Sequence, residues 1–220
     1  MSNKDAIVKR RQGILFVVSA PSGAGKTSLC QELVSQVPDL RYSVSYTTRK
    51  PRPAEIADRH YHFVEEAAFR DMIKEGAFLE WAEVYGHLYG TPRAPLKEWI
   101  AQGIDVLLDI DTQGALQIRR HEPDAVSIYI LPPSLEVLRQ RLEDRKGDAP
   151  DEIARRLKKA RDEVKNYRDY AYVIINEDFK SAVRQLEAIV LAERSRTALL
   201  DLSAVEQALM VNERETQEDR

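Results

Sequence analysis

Largely apolar runs at residues 14–19, 106–110, 126–131 and 172–175 place hydrophobic side chains on consecutive rather than alternate positions. That pattern predicts strands buried on both faces, as in a parallel sheet. Residues 41–46 read as a further strand, shorter and more polar. Between the runs the spacing turns helical. Leu29, Leu33 and Val37 share a face with Val34 beside them, and Leu135, Leu138 and Leu142 share another after Pro132-Pro133. Ile153, Leu157, Ala160, Val164 and Tyr167 mark a third helix, and Phe179, Val183, Leu186, Ile189 and Val190 a fourth. Strands separated by helices over most of the chain predict an α/β fold with right-handed crossovers.

Two segments break this rhythm. Residues 46–91 are rich in Arg, Glu, Tyr and Gly. They predict a short strand at 61–64, a helix at 66–75 stopped by Gly76, a strand at 78–84, and a turn at Tyr85-Gly86-His87 leading to Tyr89-Gly90-Thr91. Residues 141–156 are charged, with Gly147 and Pro150 between two helical patterns. Both are too short to fold alone and read as insertions on the C-terminal edge of the sheet, where ligands sit in open α/β folds. Leu199, Leu202, Val205 and Leu209 predict a short amphipathic helix near the end, and the charged stretch from Asn212 reads as a frayed tail. No internal repeat is evident.

Composition narrows the partners. A formal charge of −3 over 220 residues gives no global basic field for long nucleic acids. Cys30 stands alone, which excludes an intrachain disulfide and suits a reducing cytosol. The first twelve residues are polar and do not resemble a secretory signal, and no apolar run approaches a membrane span. These features predict a cytoplasmic protein without a membrane partner.

The chemistry begins where the first strand ends. Ala20-Pro21-Ser22-Gly23-Ala24-Gly25-Lys26-Thr27-Ser28 joins a buried strand to an amphipathic helix. A glycine-rich turn exposes backbone N–H groups, and the helix it opens adds the positive end of its dipole. In that setting Lys26 reaches the β- and γ-phosphates of a nucleotide, and the Thr27 hydroxyl serves Mg²⁺. Arg49 and Arg52 lie three apart in a loop stiffened by Pro51 and Pro53, an arrangement suited to preplaced guanidinium groups on phosphate. Tyr61 and Tyr89 read either as hydroxyl donors to the same phosphate or as packing residues. Asp109 and Asp111 close the strand at 106–110, either as carboxylates serving the metal and the acceptor or as caps of the helix at 114–120. Arg141, Arg145 and Arg156 read as a lid over the transferred phosphate or as a solvated basic face. His60, His62, His87 and His121 have no catalytic role in this reading.

From residue 13 to about 196 the chain resembles the guanylate kinase family, bacterial type, of the P-loop NTPase class. The carriers are the phosphate loop with Ser19 before it, Ser43-Val44-Ser45-Tyr46-Thr47-Thr48-Arg49-Lys50-Pro51-Arg52, and Glu80-Trp81-Ala82-Glu83. Further carriers are Tyr89-Gly90-Thr91, Leu108-Asp109-Ile110-Asp111-Thr112-Gln113-Gly114, Leu131-Pro132-Pro133-Ser134 and Ile174-Ile175-Asn176. The resemblance implies a parallel-sheet core flanked by helices (13–45, 92–140, 157–196), a small inserted α+β subdomain for GMP (46–91) and a short helical lid (141–156). A polar extension (1–12) and a helical C-terminal extension (197–220) flank these. It implies Mg²⁺-dependent transfer of the ATP γ-phosphoryl group to GMP, and to dGMP, giving ADP and GDP in purine metabolism.

Carried over by position, Lys26 and the loop from Ala20 to Ser28 would hold ATP, with Asn176 near the adenine. Arg49, Arg52, Tyr61 and Tyr89 would hold the GMP phosphate. Ser45, Glu80, Thr91 and Asp111, with Asp109 nearby, would line the guanine pocket, and Thr27 and Asp109 would serve the metal, the latter directly or through water. Arg141, Arg145 and Arg156 would clamp the phosphates. Retention of Gly23, Gly25, Lys26, Thr27 and Asp109 separates the chain from noncatalytic binding modules of the same family. Ala54, Asp58, Asp144 and Lys146 stand where the family often has glycine, and Tyr46 is bulkier than usual, so the arginine loop is expected to turn differently and the lid to move differently. The oligomeric state is not legible.

Overall fold

The computed structural model describes residues 9–10, 12–52, 55–144 and 150–218. In chain order the elements are β1 (Lys9–Arg10), β2 (Leu15–Ser19), α1 (Lys26–Gln36), β3 (Leu40–Tyr42), β4 (Tyr46–Thr47), β5 (His62–Phe63), α2 (Glu66–Lys74), β6 (Phe78–Val84), β7 (His87–Pro92) and α3 (Arg93–Ala101). They continue with β8 (Asp105–Asp109), α4 (Thr112–His121), β9 (Val126–Leu131), α5 (Leu135–Glu143), α6 (Pro150–Glu163), β10 (Tyr172–Ile175), α7 (Phe179–Arg194), β11 (Leu200–Asp201) and α8 (Ser203–Glu218).

Among the described residues five strands form a parallel sheet in the order β10-β9-β2-β8-β3. The uninterrupted apolar character of β2 follows from its central place. Phe16 and Val18 face a cluster with Leu29, Leu33, Leu186 and Val190 from α1 and α7, while Leu15 and Val17 face Leu96 and Ile118 from α3 and α4. Each such side chain, fully buried, stabilises the fold by roughly 1.5–3 kcal/mol before chain entropy is counted. Because β2 lies between β8 and β9, the loop leaving its C-terminal end opens where neighbouring crossovers diverge, the usual place for a ligand.

A second sheet, β5-β4-β7-β6, is mixed and packs α2 on one face through Phe69, Phe78 and Leu88. Its edge strand β6 is not left bare. Gln117 of α4 accepts from Trp81 N (3.3 Å) and donates to Trp81 O (2.7 Å), and Gln113 donates to Glu83 O (3.2 Å). These side chains satisfy an edge that would otherwise offer itself to another strand, and they fix the small sheet against the large one.

Several expectations need correction. Residues 41–46 are not one strand. After Tyr42 the chain makes one more bond to the core sheet, Ser43 N to Leu107 O at 3.0 Å, then crosses to the small sheet at β4. Val164 and Tyr167 lie not on the helix of Ile153 and Leu157 but in a 3-10 segment, Val164–Asp169, which begins where the Tyr129 hydroxyl donates to Glu163 O (2.8 Å). Leu199 and Leu202 precede α8 rather than forming its face. The Ser203 N–H donates to Asp201 (3.1 Å) at the start of that helix, which continues to Glu218 through the stretch expected to fray. Pairing of β1 with β11 and the whole of α3 went unanticipated; Pro95 sits in the first turn of α3, where a missing N–H costs little. Asp58 has φ 63°, the left-handed conformation that glycine adopts freely. The loop therefore makes a glycine-like turn with an aspartate, one of the few residues that tolerate it. Ala54 and Lys146 lie outside the described residues, and Asp144 caps α5 with ordinary helical angles.

Asp105, fully buried at the head of β8, ties three elements together. It accepts from Ile14 N (2.9 Å) and from Arg194 Nε of α7 (2.7 Å). Asp105→Ala leaves buried donors unpaired and should destabilise the protein by about 3 kcal/mol in urea unfolding.

Candidate active site

The loop between β2 and α1 is built to leave donors open. Gly23 and Gly25 take φ of 92° and 91°, and Gly25 caps α1 without a side-chain bond. No acidic residue occupies the first turn of α1, so its N–H groups and positive dipole end are free to meet an anion. The loop is held through its own backbone. Asn176, nearly inaccessible after β10, donates from Nδ2 to Ala24 O (2.8 Å), and a Cβ on Gly25 would come 2.6 Å from that same nitrogen. Arg141 donates to Asn176 O (2.9 Å) and to Ala24 O (3.4 Å). Both residues, expected near the nucleotide, bond the backbone of the loop.

Lys26 turns toward the end of β8, forming an ion pair with Asp109 and donating to Ile110 O (2.6 Å). Asp109 also accepts from the Tyr42 hydroxyl (3.1 Å), and burial followed by the Asp109 charge pushes the Tyr42 phenol well up. Thr27 is half-buried and Ser28 exposed on the first turn of α1. Among the described residues no three His, Cys, Asp or Glu side chains gather into a metal cage. The Thr27 hydroxyl and the Asp109 carboxylate still suit Mg²⁺, which takes few protein oxygens and fills its octahedron with water and phosphate.

Facing the loop, β6 and β7 place Glu80 opposite Thr91 as a cross-strand pair. Both are buried, and the Thr91 hydroxyl donates to Glu80 Oε1 at 2.5 Å. Burial pushes the Glu80 carboxyl up to about 7; the Thr91 hydroxyl and Lys26 hold it down against that, and Asp111 adds to the rise. Asp111 is indeed the cap of α4, accepting from Gly114 N at 2.9 Å, yet its carboxylate also lies close to Glu80. Gly114 makes this convergence possible, since a Cβ there would run into Glu80 Oε2. Ser45 is buried at the start of β4 nearby in the chain.

The arginine loop gathers Arg49, Tyr61 and Tyr89. Arg49 donates from Nε to the Tyr89 hydroxyl (3.2 Å) and lies 5.5 Å over the Tyr61 ring, which packs edge-on to Tyr89. Its two terminal nitrogens grip Glu55 at 2.8 and 2.9 Å, a partner that sequence reasoning missed. Burial opposes the Arg49 charge, but Glu55 and Tyr89 more than compensate and raise its pKa; the same bonds lower Glu55. Arg52 contributes its backbone N–H to Glu55 (2.7 Å) and is otherwise exposed. Arg156 is buried on α6 against Glu152, and Arg145 lies outside the described residues. His60 accepts from Ile56 N (3.0 Å) and His62 pairs with Asp58 (2.7 Å).

A phosphate loop at the central strand of a parallel sheet, flanked by helices and faced by a second sheet bearing a buried carboxylate, defines a nucleotide-binding protein of the P-loop class. The family model described as guanylate kinase matches residues 12–193. The guanylate kinase of Syntrophotalea carbinolica is 52% identical over 189 residues, covering 86% of this chain and 90% of that one. That of Geobacter metallireducens is 49% identical over 188 residues, covering 86% and 93%. A crystal structure of guanylate kinase from Anaplasma phagocytophilum aligns with a TM-score of 0.75 at 33% identity, covering 89% of this chain and 93% of that one. The chain belongs to the guanylate kinase family.

Thr91→Val removes the hydroxyl that favours the ionised form of Glu80. The Glu80 titration, followed by carboxyl carbon NMR, should move above its wild-type midpoint near pH 7.

Proposed function

We propose that the protein transfers the γ-phosphoryl group of ATP to GMP, and to dGMP, giving ADP and GDP. In this reading residues 46–91 form the GMP-binding subdomain and residues 141–156 the lid. The observation that carries it is the pair of converging acceptors, Glu80 and Asp111, facing an open phosphate loop. Guanine presents donors at N1–H and its exocyclic amine, which two carboxylates match. Adenine presents an acceptor at N1 and would leave a buried carboxylate unpaired, a basis for strong discrimination. Ser45 and Thr91 complete the pocket, and Thr91 orients Glu80.

The GMP phosphate goes to Arg49, Arg52, Tyr61 and Tyr89, with Glu55 keeping the Arg49 fork in place. ATP lies along the loop from Ala20 to Ser28, with Asn176 and Arg141 supporting the loop beneath it and Lys26 moving from Asp109 to the phosphates. Thr27 and Asp109 would hold Mg²⁺, whose charge, when bound, neutralises the β- and γ-phosphate oxygens. The nucleophile is a phosphate oxygen already anionic at neutral pH, so no general base is needed; positioning and charge do the work. Arg141, Arg145 and Arg156 exclude water and meet the spreading charge. A cytoplasmic setting in purine nucleotide recycling accords with the single, buried, free thiol of Cys30.

ADP release with ATP and Mg²⁺ should appear with GMP and not with AMP, UMP or CMP, and Lys26→Ala should lower it by at least about a hundredfold. Equal activity on AMP and GMP would overturn the pocket assignment. The raised pKa of Glu80 gives a second test. Between the ordinary carboxylate value and about 7 the free protein holds a proton there, and guanine donors favour its loss. Calorimetry at pH 6.5 in buffers of different ionisation enthalpy should therefore show GMP binding release approaching one proton. Glu80→Gln should remove the Glu80 share of that release, leaving only what the GMP phosphate, with its own pKa of about 6, gives up.

A further inference from the structure

The β6–β7 hairpin turns on Tyr85 and Gly86, with φ of 53° and 78°. Successive left-handed residues make the turn that Asn-Gly or Asp-Gly fits, and a bulky aromatic there is strained. The Tyr85 side chain supplies the reason. Its ring receives Lys159 Nζ at 4.7 Å, Arg155 at 5.0 Å and Arg156 at 5.4 Å from the centroid, all from α6. Glu152 pairs with Arg155 and Arg156, and Glu163 with Lys159, so the cations are held on the ring side of the helix. The Tyr85 hydroxyl is buried beside Ser22 of the phosphate loop, without a hydrogen bond of acceptable geometry. One side chain thus touches the tip of the small sheet, the helix that follows the lid segment, and the loop meant for ATP.

We propose that Tyr85 is a positioning residue that latches α6 across the phosphate loop, so that Arg156 and Lys159 are delivered to the phosphates when the cleft closes. The aromatic face attracts cations most strongly where water is excluded, so the latch tightens as the site dries. It rests on reading Arg156 as part of the phosphate clamp.

The test uses the full chain with Tyr85→Asn, which suits the turn better than tyrosine, and Tyr85→Phe, which keeps the ring. Tyr85→Asn should unfold at the same temperature or higher while kcat/KM for ATP falls about tenfold, and Tyr85→Phe should rescue most of that loss. Lys159→Met should lower activity in the wild-type background and add little in Tyr85→Asn, because both act through the ring. With a nonhydrolysable ATP analogue and GMP bound, amides of α6 should exchange hydrogen faster in Tyr85→Asn than in wild type. A stable Tyr85→Asn protein with unchanged kinetics and unchanged exchange, or strictly additive effects of Tyr85 and Lys159, would overturn the latch. A wild-type protein inactive on GMP would count against the kinase reading instead, and the exchange difference would still decide the latch.

Discussion

The first turn of α1 has no negative partner of its own. Helices α4, α5 and α7 are capped by Asp111, Ser134 and Asp178, whereas α1 starts from a bare glycine with no acid nearby in the turn. Helix N-termini left this way are anion sites only if the loop before them keeps its shape. The surrounding structure supplies that rigidity. Asn176 and Arg141 hold the Ala24 carbonyl, and Leu138 and Leu142 of α5 press against Gly23. Lys26, which would crowd an anion-free loop with its own charge, is drawn aside by Asp109 and Ile110 O.

The opposite problem arises across the cleft, where negative charge is concentrated. Glu80 and Asp111 approach each other in a buried setting, an arrangement that costs free energy unless donors arrive. Thr91 supplies one donor and the α4 N-terminus another through Gly114 N. Gln113 adds a third, its Nε2 donating to Asp111 Oδ2 at 3.1 Å. Glu55 plays a comparable part on the arginine loop, since a carboxylate presents two oxygens to a guanidinium fork much as a phosphate does.

The parallel core was legible because burial on both faces writes itself as consecutive apolar residues; β9 and β10 run from Val126 to Leu131 and from Tyr172 to Ile175, the limits expected. Short strands were not. Two-residue pairings such as β1 with β11 carry no periodicity, and residues 41–46 look continuous although two sheets share them. The phosphate loop and Glu80 could be read from motif and resemblance, and so could Arg49 with Tyr89. Glu55, Tyr42 and Tyr85 could not, because their importance lies in partners brought from 6 to 74 positions away. Asp111 shows the limit from the other side: cap and pocket residue looked like alternatives, yet the carboxylate that caps α4 also lies close to Glu80, so the two roles are compatible.

The glutamines on α4 have a mechanical meaning. Gln113 and Gln117 are four residues apart, one helical turn, and both bond the backbone of β6. Two attachment points define a line, and that line runs along the helix axis. If both attachments persist, the small sheet has one rotational freedom left, a swing about α4 like a door on two pins. Glu80, next to the attached Trp81, and Asp111, the cap of α4, lie beside that line and would scarcely move during such a swing. In the proposed reading, base recognition and phosphate approach would thereby be uncoupled, the guanine seat staying in place while the phosphates are brought together.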